Sequence, residues 1–101
     1  MGWATRWIEA LQRGETVSFR PTGNSMSPRI ESRWLCTVAP LVADAALEEG
    51  DVVLCRVKGA EYLHLVKAVA GDRVLIGNNR GGINGWTSRR NVYGRLTDAR
   101  P

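Results

Sequence analysis

Ser25 stands inside Gly23-Asn24-Ser25-Met26-Ser27-Pro28, a tight Gly/Pro turn, and Lys67 interrupts the apolar run Tyr62-Leu63-His64-Leu65-Val66-Lys67-Ala68-Val69. A serine hydroxyl is a weak nucleophile until a neighbouring base takes its proton, and a neutral lysine amine is one such base. Together they point to a Ser25/Lys67 dyad that attacks a peptide or ester carbonyl. Strand alternation puts Leu63, Leu65, Lys67 and Val69 on one face and Tyr62, His64, Val66 and Ala68 on the other. Apolar surroundings disfavour the charged form of an amine, as a general base requires. Taken singly, each residue also has a plainer reading: Lys67 as a strand residue whose amine snorkels to water, Ser25 as an ordinary turn residue.

The rest of the turn fits the same chemistry. The negative charge that develops on an attacked carbonyl oxygen needs fixed hydrogen-bond donors. The Ser25 amide is the first candidate, with Gly23 freeing the backbone for close approach and Asn24 or Thr22 able to add a side-chain donor. Met26 and Pro28 flank the nucleophile and are the candidate substrate-binding residues, Pro28 by stiffening the turn and Met26 by lining a pocket, although filling a core gap is the default role of a buried Met. A peptide substrate would add as a strand beside a sheet edge. His64 faces away from Lys67 by parity, has no metal partner near it in sequence, and reads as a core or surface hydrogen-bonder. No metal and no cofactor is expected.

The elements that must position these residues follow from hydrophobic spacing. Trp3, Trp7, Ile8 and Leu11 fall on one face of a helix over about 3–13, with Gly14 as its stop. That stripe suits packing against a sheet, and with Arg6 and Arg13 it also suits a bilayer surface. Strands are predicted over 17–20, 33–38, 74–77 and 91–97, and 52–57 with 62–69 form a hairpin joined by Lys58-Gly59-Ala60-Glu61. Residues 40–49 read as a loop or one helical turn. The chain of 101 residues, 44% hydrophobic, is one domain over 1–101 with a modest core, a mainly β fold over about 15–97 behind a short amphipathic helix. Cys36 and Cys55 lie in apolar, strand-like contexts without metal-ligand spacing, which indicates buried free thiols in a reducing compartment, with a disulfide as the lesser alternative.

In this order the motifs resemble the catalytic domain shared by signal peptidases and LexA-type self-cleaving repressors. Gly23-Asn24-Ser25-Met26-Ser27-Pro28-Arg29-Ile30 is similar to the family's nucleophile segment, which implies Ser25 as nucleophile. Glu49-Gly50-Asp51-Val52-Val53-Leu54 resembles the Gly-Asp strand entry, and Leu65-Val66-Lys67-Ala68-Val69 with Gly71-Asp72-Arg73-Val74 resembles the signal peptidase lysine segment, which implies Lys67 as general base. Gly77-Asn78-Asn79-Arg80 with Val92-Tyr93-Gly94-Arg95 is similar to the final motif, with Asn78 where the family has aspartate and Ala68 where it has arginine. The resemblance spans about residues 15–97 and implies a coiled antiparallel β fold and a peptide or protein substrate.

No run approaches the roughly 20 apolar residues of a spanning helix, so no transmembrane anchor is expected, and the absence of a leader pattern points to the cytoplasm. The segment before Ser25 has no room for DNA-binding helices. The alanine-rich Val42-Ala43-Asp44-Ala45-Ala46 is a candidate site for cleavage of the chain by itself. Two other readings stand beside the peptidase. One is a catalytically silent module of this fold that binds a protein partner. The other is nucleic-acid binding, because Arg73, Arg80, Arg89, Arg90, Arg95 and Arg100 oppose only Asp98 and give the last third a net charge of +5.

Overall fold

Helix α1 (Thr5–Gln12) forms where the apolar spacing is helical and ends where Gly14 adopts a left-handed conformation, φ 85°. The Gly14 N–H donates to Leu11 O and the Glu15 N–H to Ala10 O, so the orphaned carbonyls of the last turn are satisfied. The computed structural model describes residues 2–42 and 44–101. Ile8 and Leu11 are buried, Trp7 stacks on Phe19 with ring centroids 5.3 Å apart, and Trp3 meets the same ring edge-on at 5.7 Å. The aromatic stripe therefore packs on the sheet, which is the first of its two expected roles.

Seven strands follow: β1 (Val17–Phe19), β2 (Leu35–Pro40), β3 (Val52–Val57), β4 (Ala60–Ala70), β5 (Arg73–Gly77), β6 (Ile83–Ser88) and β7 (Val92–Arg100), with a 3-10 turn at Arg89–Asn91. They form one antiparallel sheet in the order β1-β2-β7-β3-β4-β5-β6. The fold is mainly β, as expected. Strand β3 is buried on both faces: Val52 and Leu54 join α1, Val38 and Phe19 in one core, while Val53, Cys55 and Val57 join Val66, Val74 and Ile76 in a second. A strand covered on both sides reads as an unbroken apolar run, and Val52-Val53-Leu54-Cys55 is one. The sheet curls until Thr87 Oγ1 on β6 donates to the Arg56 carbonyl of β3, 2.8 Å away.

The β3–β4 hairpin is tighter than its predicted four-residue connection. Lys58 (φ 52°) and Gly59 (φ 83°) make a two-residue turn, and two positive φ angles match the twist of the flanking strands. Cys36 and Cys55 are buried in different cores and both free. Burial pushes the Cys55 thiol up to about 12. No helix among the described residues is long and apolar enough to cross a membrane.

Candidate functional site

The loop from Arg20 to Trp34, between β1 and β2, is tied shut at its base by the Arg33 N–H to Pro21 O bond of 2.7 Å. At its tip, Asn24 O accepts from the Ser27 N–H at 3.1 Å and Met26 O from the Ile30 N–H at 3.0 Å, while buried Met26 and Ile30 anchor the turn in the core. The Gly77-Asn78-Asn79-Arg80 motif holds this tip from outside. The Asn79 N–H donates to Ser25 O at 3.0 Å, and Asn79 Nδ2 donates to Ser27 O at 3.1 Å. Asn78 Oδ1 in turn accepts from the Arg80 and Gly82 amides at 2.9 and 2.8 Å, which shapes the β5–β6 connection.

Held in this way, Ser25 meets a histidine. Ser25 Oγ lies 3.0 Å from His64 Nε2, and His64 Nδ1 lies 2.7 Å from Asn84 Oδ1. Asn84 Oδ1 can only accept, so the ring proton sits on Nδ1 and the Nε2 lone pair faces the serine hydroxyl. Burial pushes His64 below its ordinary value, and the Asn84 hydrogen bond only partly opposes this. The imidazole is therefore neutral at pH 7, as a base must be. The geometry is one in which a hydroxyl, a base and an orienting group can act in line, with a neutral amide in the third place.

Asn84 reaches this position through a bulge. Ile76 pairs with Gly85 and Gly77 with Ile83, so Asn84 is the unpaired residue between them, and such bulges re-aim side chains. Gly77 lies between the two partners on the intervening strand. A Cβ there would sit 2.6 Å from Gly82 O and 2.9 Å from Lys67 Cε.

The expected Ser25/Lys67 pair is not the one that forms. Among the described residues no hydrogen bond joins Lys67 to Ser25, whose hydroxyl is engaged by His64. Lys67 is itself a bulge residue, because Val66 pairs with Ile76 and Ala68 with Leu75. Its methylenes cover Gly77. His64, expected as a plain hydrogen-bonder, makes its hydrogen bonds to Ser25 and to Asn84. Parity along β4 placed His64 and Lys67 on opposite faces but carried no information on which face meets the Ser25 loop.

The remaining candidates divide. The Ser25 amide donates to no partner among the described residues and stays free for an oxyanion. The Gly23 amide donates to Ser32 Oγ at 3.1 Å, so Gly23 (φ 118°) serves the turn and not the oxyanion. Met26 and Thr22 line a groove of about 610 Å³ that holds Ser25 and His64, whereas Asn24 and Pro28 do not line it. Its walls are chiefly apolar, from Trp3, Met26, Ile30, Tyr62 and Leu63, with Arg20, Glu31 and Glu61 as the charged residues that line it.

One side of this groove is an open strand edge. β4 pairs with β3 along Ala60–Leu65, but with β5 only from Leu65 onward. The Val66 N–H bonds Asp51 O on the β3 side, while Glu61 O accepts Trp3 Nε1 on the other. Backbone groups alternate sides along a strand, so Leu63, in register with Glu61, turns its N–H and C=O toward the groove beside His64.

The C-terminal arginines are partly committed elsewhere. Arg89 donates to the Val42 and Ala45 carbonyls, Arg95 Nη2 to Ala46 O at 2.7 Å, and Arg100 pairs with Asp98. Arg89 and Arg95 thereby hold the segment after β2, and two of the six arginines of the basic cluster are engaged within the fold. The carbonyls they hold, those of Val42, Ala45 and Ala46, belong to the candidate self-cleavage segment, whose Ala43 lies outside the described residues. Comparison with protein families, curated proteins and solved structures finds no match for this chain.

Proposed function

We propose that this chain is a serine hydrolase of peptide bonds, with Ser25 as nucleophile, His64 as general base and acid, and Asn84 as the group that orients the imidazole. The observation that carries the reading is the continuous Ser25–His64–Asn84 hydrogen-bond path, at 3.0 and 2.7 Å, opening on an apolar groove. His64 Nε2 takes the hydroxyl proton as Ser25 Oγ bonds to the substrate carbonyl carbon, and the charged oxygen meets the Ser25 amide. Collapse breaks the carbonyl–nitrogen bond, and the amine leaves with the proton from Nε2. Water then repeats the sequence on the acyl-serine and releases the acid. Lys67 has a structural part here, its stem covering Gly77 beneath the loop that holds Ser25.

An extended substrate segment suits the open edge at Leu63, where main-chain bonds supply affinity without fixing sequence. The nucleophile motif's resemblance to signal peptidases and LexA-type repressors supports the same reaction class. Incubation with p-nitrophenyl acetate tests it: an acetyl group should accumulate on Ser25, mapped by peptide mass, and be absent from Ser25→Ala. Equal p-nitrophenol release by both proteins would overturn the reading.

A further inference from the structure

The groove has a built end. Trp3 Nε1 donates to Glu61 O at 3.0 Å and so occupies the carbonyl that would otherwise extend the open edge beyond Leu63. Trp3 is held there by an anchor directly below. The Glu61 side chain is 1% exposed, and its carboxylate accepts from the Ala4 N–H at 2.6 Å, from Thr5 Oγ1 at 2.8 Å and from Arg56 Nη2 at 3.0 Å. Burial disfavours its ionisation, but the hydrogen bonds from Thr5, Ala4 and Arg56 outweigh that and keep the carboxyl below its ordinary value. The first turn of α1 is therefore locked to β4, and the half-exposed Trp3 ring projects as the wall of the groove farthest along β4 from His64.

We infer that Trp3 is a specificity-determining residue that limits how long an acyl group the site accepts. Glu61 lies three residues from His64 on β4, a run of about 10 Å at about 3.3 Å per residue. An acyl chain attached to Ser25 can follow Met26, Ile30 and Leu63 for that distance before it meets the indole. Apolar chains gain by burial up to the wall and are rejected beyond it. This rests on the hydrolase reading and narrows its substrates to those whose acyl side is apolar and of bounded length, for which alkanoyl esters are the probes.

The test is the rate of Ser25 acylation by p-nitrophenyl acetate, hexanoate and decanoate, the last when extended being longer than the run of about 10 Å from His64 to Glu61. In the unaltered protein the rate should rise from acetate to hexanoate and fall about tenfold for decanoate. Trp3→Ala should abolish the fall from hexanoate to decanoate, while Trp3→Phe, which keeps a blocking ring, should retain it. Trp3→Leu preserves apolar contact with Phe19 and carries the same expectation as Trp3→Ala should the smaller residue unsettle α1. An identical chain-length profile in all four proteins would overturn the assignment of Trp3. No acylation by any ester in any of them contradicts the hydrolase itself, and the groove assignment with it.

Discussion

Ser25 Oγ and His64 Nε2 are 3.0 Å apart although 39 residues separate them in the chain. The contact is assembled by residues that touch neither atom. Asn79 grips the Ser25 and Ser27 carbonyls from the β5–β6 connection, and the bulge at Asn84 turns an amide onto the far side of the imidazole. Buried Met26 and Ile30 fix the loop from within.

The first consequence concerns pH. Burial holds His64 below its ordinary value of 6.5, so the neutral base persists at neutral pH and acyl transfer should lose half its rate only at a pH below 6.5. Stability follows the same group. Between the folded and unfolded values the unfolded chain binds a proton that the folded chain does not, so stability is lost as pH falls through a window below 6.5. Rate–pH profiles of Ser25 acetylation, with denaturant unfolding of the protein and His64→Gln at pH 5 and 7, measure both. An acid limb centred above 6.5 is incompatible with a desolvated His64.

Asn84 sets the tautomer without supplying charge. Asn84→Ala should lower acylation between about a hundredfold and ten-thousandfold, since the imidazole loses its orienting partner. Asn84→Asp places a carboxylate 2.7 Å from Nδ1, which favours the imidazolium and should move the acid limb upward. A limb that stays fixed in Asn84→Asp shows that residue 84 does not govern the ring.

Gly77→Ala should damage the site from the strand between its partners. The added methyl meets Gly82 O and Lys67 Cε, and overpacking of this kind costs about 1–3 kcal/mol. Because Gly82 O accepts the Asn78 N–H, the shift should reach the Asn79 bridge to Ser25. Chemical denaturation should show the loss of stability, and acylation should fall by more than the unfolded fraction explains. Unchanged stability would mean that the β5–β6 connection yields freely.

Glu61→Ala tests the anchor of the N-terminal segment. It leaves the Ala4 amide, buried completely, without its acceptor, at a cost of about 2 kcal/mol. For a domain of this size that lowers Tm by roughly 10 °C. Calorimetry should find the shift, and acetate labelling of Ser25 at low temperature should survive it. A Tm within a degree of the parent protein argues that α1 is held by Trp7 and Phe19 alone.

Much of the fold was legible because its signals are local. The helical stripe at Trp7, Ile8 and Leu11, the stop at Gly14 and the β3–β4 hairpin all follow from spacing and turn chemistry. Strand β6 was not legible. Gly81-Gly82-Ile83-Asn84-Gly85 carries the composition of a loop, and it becomes a strand only by pairing with β5 around the Asn84 bulge. In the site, Ser25 was visible from its turn. The choice between Lys67 and His64 was not, because alternation along β4 assigns faces but cannot say which face a loop 39 residues upstream will cover. One sign was available: His64 sits beside Leu63 and Leu65 in a run with no other polar residue until Lys67, and a polar group buried there must find partners.

The most direct measurement compares two substitutions in one labelling experiment. Ser25 acetylation by p-nitrophenyl acetate is followed by intact mass in the parent protein, His64→Ala and Lys67→Ala, each checked for folding by circular dichroism. With His64 as the base, His64→Ala should lose roughly a thousandfold or more in rate while Lys67→Ala acylates at close to the parent rate. The reverse outcome, a silent Lys67→Ala beside a reactive His64→Ala, contradicts the Ser25–His64–Asn84 relay and returns the base to the lysine.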